Sequence, residues 1–468
     1  MAGLPARAGR RSRAATWILF LAFAFAVMGD PVSSVAYAVE AALRALGGDV
    51  LLLIPAVGAV VALVALVDLH YNRLVQRFPW GGGSAAAAAE AFGEPWAFLP
   101  LAALTVDYAL TLALGVAAAA AALIASVPAL APDRVLLALG MAAVVAAPTW
   151  FGHVGRAVFA GMTLAFIGLA AVVLVHGFLV PAPAAAAIPT PGRAALPAVL
   201  LAYPVAMAFA TGTEAPASAI AQLGQLRTEG RQRFGRATMW ITLAVVGPLS
   251  LGFAALALRL RLVAPAPHAT LVATIAAASV GRGRLFAAFQ VASALMLLAA
   301  ANSGLTAGPG LLKALARDDS GEGVGVLPAW LGRTNRHHTP YGGEALFLAV
   351  AAVLVVAARG QPQVLVLFYA VDVLLAFLIG LLAMARLERR AGRRGGAIGH
   401  GVAAACVLLT LVLDAARRYP LAPLAAAAAG AALLYGLWVR AGRPSGIAIV
   451  EELAEVTRDP EPPADAAE

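Results

Sequence analysis

The sequence predicts an all-α polytopic membrane protein of about twelve transmembrane helices, built on an inverted repeat with helices one and six broken. Three observations predict it. Of the 468 residues, 62% are hydrophobic and 12% charged, with a mean hydropathy of +0.87. Soluble domains run at about 45–50% apolar and ~25% charged. The apolar residues also gather into windows long enough to span a bilayer, which takes about 17–25 residues. These windows fall at roughly 15–46, 49–68, 95–127, 134–150, 156–180, 195–224, 238–259, 283–307, 344–358, 362–386, 398–416 and 420–439. Windows one and six are each about thirty residues long and carry small polar residues beside a proline at mid-span, the first at Gly29-Asp30-Pro31-Val32-Ser33-Ser34 and the sixth at Thr211-Gly212-Thr213-Glu214-Ala215-Pro216. Proline removes a backbone donor and breaks a helix, and irregular backbone at membrane depth survives only where it lines a cavity. Two interrupted helices five spans apart therefore imply inverted repeats with a site at the breaks.

Taken in order, residues 1–14 form a basic N-terminus carrying Arg7, Arg10, Arg11 and Arg13. Followed by Ala14–Met28 and by Ala36-Tyr37-Ala38, this stretch imitates a signal peptide. The apolar run continues to Leu46, so a retained first helix is expected. After window two, Phe78-Pro79-Trp80-Gly81-Gly82-Gly83-Ser84 supplies a triple glycine suited to positive φ, and Ala85–Glu90 predicts a short helix along the inner surface. No Lys-Ser/Thr follows the glycines, so this is no phosphate loop. Windows one to five (15–180) make the first repeat and windows six to ten (195–386) the second, with extra helices over 398–439. Window nine is short. The transporter domain thus spans 15–440, and residues 441–468 are expected to be a short acidic, disordered cytoplasmic tail, Pro-rich at its end. With the N-terminus inside, segments on the inner face hold 22 of the 33 basic residues and the tail one more. That bias predicts a multi-pass protein of the cell inner membrane with both termini cytoplasmic.

Composition also excludes functions. The net charge of +9 comes from short arginine clusters between apolar runs, a membrane pattern that implies no nucleic-acid partner. The single cysteine, Cys406, lies in an apolar run and excludes an intramolecular disulfide or a cysteine metal cluster. Asp68 and Asp414 sit near span ends and read as interfacial, while Glu40, about one turn past Tyr37, is a gate candidate. No nucleophile–base pair is visible, so no enzymatic activity is expected. What remains is a set of polar residues within apolar windows: Asp30 with Tyr37, Asp107 with Thr111, Thr211 with Glu214. A carboxylate at the bilayer centre costs ~2.5–3.5 kcal/mol on insertion scales, and such residues ordinarily line a substrate or ion path. Asp107 and Thr111 are four residues apart and share a helix face.

These motifs resemble those of KUP-type potassium uptake permeases and their KimA-like branch. Gly29-Asp30-Pro31-Val32-Ser33-Ser34-Val35-Ala36-Tyr37 is similar to the first-helix signature, and the glycine loop to that between helices two and three. Val106-Asp107-Tyr108-Ala109-Leu110-Thr111 resembles the third-helix ion motif and Thr211-Gly212-Thr213-Glu214-Ala215 the sixth-helix motif. Ala301-Asn302-Ser303 and Phe368-Tyr369-Ala370-Val371 match the end of helix eight and the start of helix ten. The resemblance implies a LeuT-type fold of the amino acid–polyamine–organocation (APC) superfamily, with two five-helix inverted repeats and two further helices. It places the cation site at Asp30, Tyr37, Asp107, Tyr108, Thr111, Thr211, Glu214 and Tyr369, with K+ itself held by Asp30, Asp107, Thr111 and Thr211. Two positions depart from the pattern. Gly115 replaces a hydroxyl four residues past Thr111, which removes one ligand, and Asp372 adds a carboxylate three residues past Tyr369.

A monovalent cation is hard and favours oxygen ligands, and clustered carboxylates raise at least one pKa among them. Glu214, Asp107 or Asp372 can then carry a proton with the cation. The implied function is K+/H+ symport by alternating access, with the bilayer, a monovalent cation and a proton as partners and no cofactor. The alternative is an amino-acid or polyamine permease of the same superfamily. That reading places Gly-Ser/Ala-Gly where this chain has Asp30-Pro31-Val32-Ser33. KimA-like proteins dimerise through a cytoplasmic C-terminal domain. The residues after 440 leave that route to a homodimer in doubt.

Overall fold

The computed structural model describes residues 13–151, 155–182, 194–212, 214–223, 226–266, 268–317, 323–416 and 421–456. The chain folds as α1 (Arg13–Val27), α2 (Gly29–Ala45), α3 (Leu53–Arg77), α4 (Gly83–Phe92), α5 (Phe98–Ser126), α6 (Arg134–Phe151), α7 (Arg156–Leu179), α8 (Ala195–Ala206), α9 (Ala215–Ala219), α10 (Thr228–Arg259), α11 (Leu271–Val280), α12 (Arg284–Leu315), α13 (Tyr341–Ala357), α14 (Pro362–Arg390), α15 (Arg394–Ala415), α16 (Leu421–Arg440) and α17 (Val450–Val456). The fold is all-helical, and among the described residues extended pairing is limited to one bridge, Ala316 with Leu327. Among the described residues, eleven helical segments are long and apolar enough to cross a membrane, α1–α2 and α8–α9 each counting as one. The ninth window of the sequence is α13, a 17-residue apolar helix.

Burial separates a centre from a periphery. Of the apolar windows, 83% is buried in α5 and 76% in α14, against 22–28% in α6, α7, α15 and α16. The exposed Leu, Val, Ile and Phe side chains of the peripheral helices face hydrocarbon, where exposure carries no hydrophobic penalty. The centre forms where α5 packs on α12 and α14, and where α2 packs on α8. Glycines set the closest approach. A Cβ at Gly115 would lie 2.8 Å from the Ala301 Cβ and 2.9 Å from the Leu297 carbonyl oxygen, and one at Gly304 would lie 2.6 Å from the Tyr108 carbonyl oxygen. Gly115 is therefore a backbone-contact position between α5 and α12, with no room for the hydroxyl it replaces.

The sixth helix breaks where the sequence places the break. After Ala206 the chain tightens into a 3-10 turn, Met207–Ala210, then extends at Thr211 (φ −65°, ψ 141°). Gly212 takes φ +71°, open to glycine at little cost, and α9 resumes with Pro216 in its first turn. Thr213 lies outside the described residues.

The first helix corrects the expectation. It is interrupted at Met28 only, and Asp30–Ser34 is helical rather than unwound. The hydrogen-bond ladder runs through the interruption, from the Met28 N–H to the Ala24 carbonyl (2.9 Å) and from the Val32 N–H to the Met28 carbonyl (3.0 Å). Pro31 is the third residue of α2, within the first turn, where a missing N–H is tolerated. Ser33 and Ser34 then donate back to the carbonyls of Asp30 (2.7 Å) and Pro31 (2.6 Å), so hydroxyls that favour caps and turns settle inside the helix.

The alanine-rich helix α4 forms where the sequence predicts a short helix and is buried through Ala85–Ala88. Asp68 and Asp414 are 3% and 2% exposed. One further reading is revised. Residues 447–456 are helical and buried on one side: Ile447, Val450 and Ala454 pack with Ala85, Leu311 and Leu315. This part of the tail is thus not disordered, and the acidic residues from Asp459 onward lie outside the described residues.

Candidate functional site

The break of helix six meets the first turn of α2. A Cβ on Gly212 would lie 2.9 Å from the Cγ and Oδ2 of Asp30 and 2.9 Å from the Cδ of Pro31. The bare backbone of the sixth-helix break is thus seated against the Asp30 carboxylate. Asp30 is half-buried in the first turn of α2. Two turns on, Tyr37 is buried and approached by the hydroxyls of Thr211 and Ser33.

The α5 helix completes the other wall. Asp107 and Thr111 are both buried, and Asp107 keeps one carboxylate oxygen without a hydrogen-bond partner. Thr111 Oγ1 shares a hydrogen bond of 2.6 Å with the Tyr369 hydroxyl from α14. The Tyr369 ring in turn meets the Tyr37 ring edge-on, centroids 6.4 Å apart. Three helices thereby converge through two tyrosines and a threonine. Tyr108, one residue on from Asp107, packs against apolar side chains of two core clusters. Thr211 donates its hydroxyl proton to the Ala208 carbonyl at 2.9 Å, which leaves its oxygen lone pairs for a ligand. Glu214 is half-buried just past the break. Asp372 is 1% exposed, and neither of its carboxylate oxygens has a hydrogen-bond partner.

Electrostatically the cluster is one-sided. The groups that act on the Asp107 charge are Asp30, Glu214 and Asp372, all acidic. A buried carboxylate lacking a partner is costly. Such a cluster is relieved by a bound cation, by protons, or by both.

Sequence reading missed the space beyond Tyr37. A small cavity there is lined by Tyr37, Gln290, Ser293, Gln363 and Thr270 among apolar side chains. Gln290 is 2% exposed and donates to the Ala122 carbonyl at 2.9 Å. Its only signal in the sequence was an amide within the eighth apolar window. Glu344 was also missed. It is buried at the start of α13 and accepts a 2.6 Å hydrogen bond from the Thr149 hydroxyl.

A family model described as amino acid permease matches residues 18–434. The potassium transporter KimA of Bacillus subtilis (strain 168) is 29% identical over 374 residues, covering 76% of this chain and 59% of that relative's length. Two crystal structures of mutants of a manganese transporter from Eremococcus coleocola align over 92% of this chain and 96% of theirs, at 12% and 13% identity and a TM-score of 0.49. With the family model matching most of its length, the chain belongs to the amino acid permease family of the APC superfamily and is a multi-pass membrane transporter.

Proposed function

We propose that the chain imports potassium together with a proton by alternating access, in the cell inner membrane with both termini in the cytoplasm. The observation that carries the reading is the acidic, oxygen-rich cluster where the sixth-helix break meets the first turn of α2. Asp30, Asp107, Thr111, Thr211 and Tyr369 offer hard oxygen donors, and the acids Asp30, Glu214 and Asp372 surround Asp107. One monovalent cation does not neutralise that set. Protons on Glu214, Asp107 or Asp372 reduce the remaining charge, and one of them supplies a coupling ion. Alternation between open faces follows the fold, with the two repeats rocking about the site. The name of the relative from Bacillus subtilis, a potassium transporter, supports K+ as cargo.

The family description favours a second reading, an amino-acid or polyamine permease. A substrate carboxylate would need bare backbone N–H groups at the start of α2. Asp30 puts a negative charge there and Pro31 withholds an amide. The zwitterionic version is thereby disfavoured, while polyamines share the preference for an acidic site. Rb+ uptake into proteoliposomes, with K+, Na+, NH4+, alanine and putrescine as competitors, decides among these. Saturable Rb+ uptake blocked by K+ and raised by an inward proton gradient supports symport. Uptake of alanine or putrescine without Rb+ transport overturns the potassium reading, and Rb+ uptake indifferent to the gradient and to an uncoupler removes the proton.

A further inference from the structure

Two buried glutamates perform the same task at opposite membrane faces. Glu40, 2% exposed, stands in the outer half of helix one and accepts the Leu271 N–H at 2.9 Å, the first residue of α11. Its other oxygen takes the Arg44 Nε at 2.8 Å, and Arg44 reaches on to the Pro265 carbonyl at 2.7 Å. Glu451, 4% exposed, stands in α17 and accepts the Ala85 N–H at 3.2 Å, in the first turn of α4. Its second oxygen takes the Ser218 hydroxyl of α9, also at 3.2 Å. Each carboxylate thus satisfies an orphan amide and complements the positive helix end.

The two capped helices correspond. The α4 helix joins spans two and three, and α11 joins spans seven and eight, five spans apart, so they lie at opposite faces. In each case the glutamate ties a half of a broken helix to its loop helix: α2 to α11, and α9 to α4. Helix one supplies its own carboxylate. Residues 215–226 of helix six contain no Asp or Glu, and the C-terminal segment supplies one instead. The glycine loop is shaped around it. Gly81, Gly82 and Gly83 have φ of +100°, +94° and +41°, and a Cβ on Gly83 would lie 2.6 Å from Glu451 Oε2. The fit is reinforced by the Gly446 N–H donating to Glu94 at 3.0 Å and by the Ile447, Val450 and Ala454 side chains in the core.

We propose that Glu451 and Glu40 latch the two gates of the transporter, Glu451 closing α9 on α4 at the face shared by the termini and Glu40 closing α2 on α11 at the other. The C-terminal segment is then a working part of the gate, released once per cycle, and both latches are engaged in this structure. The proposal rests on the transporter fold and is independent of the cargo.

The test reads gate position directly. In a Cys406→Ser background, Ser84→Cys reports the α4 side, since Ser84 is 2% exposed beneath the latch and bonds the Tyr71 hydroxyl. Ser293→Cys reports the cavity beyond Tyr37. Labelling by an impermeant maleimide is measured in right-side-out and inside-out vesicles. Loss of a charge-assisted hydrogen bond shifts the open population about tenfold. Glu451→Gln should therefore speed labelling of Ser84→Cys about tenfold and slow that of Ser293→Cys. Ser218→Ala, which leaves the α4 cap in place, should move both rates the same way by less, and Glu40→Gln should give the mirror pattern. Reporters that rise together with a fallen melting temperature would mean that Glu451 only stabilises the fold, and unchanged reporters would also overturn the proposal. If Glu451→Gln does not fold, Ser218→Ala carries the test alone.

Discussion

Replacing Gly212 by alanine tests the central claim that the sixth-helix break touches the first turn of α2. Two costs add. An L residue at φ +71° carries about 1–2 kcal/mol of backbone strain. The new methyl would stand 2.9 Å from the Asp30 carboxyl and the Pro31 ring, an overpacking worth about 1–3 kcal/mol. The sum is about 2–5 kcal/mol unless Asp30 moves, and a displaced Asp30 no longer presents its oxygens to the site. Gly392 separates the costs: its φ is +73° and nothing lies within 4 Å of a Cβ there, so Gly392→Ala should show the backbone cost alone. Asp30→Ala combined with Gly212→Ala should be less destabilised than the sum of the singles by about 1 kcal/mol, as residues in contact couple. Unfolding titrations in lipid–detergent micelles and Rb+ uptake in proteoliposomes supply the two readouts. If Gly212→Ala unfolds with Gly392→Ala and transports normally, Gly212 is not in contact with Asp30 and Pro31 and the site as drawn is wrong.

Asp30→Asn, Asp107→Asn and Glu214→Gln keep shape and remove charge, so melting should hold while Rb+ half-saturation rises. Each lost charge-assisted contact is worth ~1.5–3 kcal/mol, roughly ten- to a hundredfold in affinity, and normal uptake by all three would sink the cation site. Restoring a hydroxyl by Gly115→Ser should lower the melting temperature without tightening Rb+ binding, because the added Cβ meets the Leu297 carbonyl oxygen at 2.9 Å; tighter binding would make position 115 a ligand after all. Asp372→Asn removes a buried acid whose oxygens have no hydrogen-bond partner, and should shift the pH profile of uptake more than the half-saturation. A change in half-saturation alone would place Asp372 among the direct ligands.

The sequence by itself determined what local chemistry determines. Hydropathy located the spans because a bilayer demands runs of apolar residues wherever they fall in the chain. The i, i+4 spacing put Asp107 and Thr111 on one face, and Thr211-Gly212 broke helix six because glycine alone accepts φ +71° cheaply. Tertiary structure decided what depends on a partner remote in sequence. Helix one kept its ladder past Pro31 because that ring fell in the first turn of α2, a position set by where Met28 interrupts the helix. Gly115 became a packing position because α12 runs against it. Glu451 looked like part of a solvated acidic tail, and its role became visible only with the Ala85 amide, 366 residues away, at its oxygen. Periodicity reports which side of a helix is apolar, whereas the group that faces a given carboxylate is fixed only when helices distant in the chain pack together.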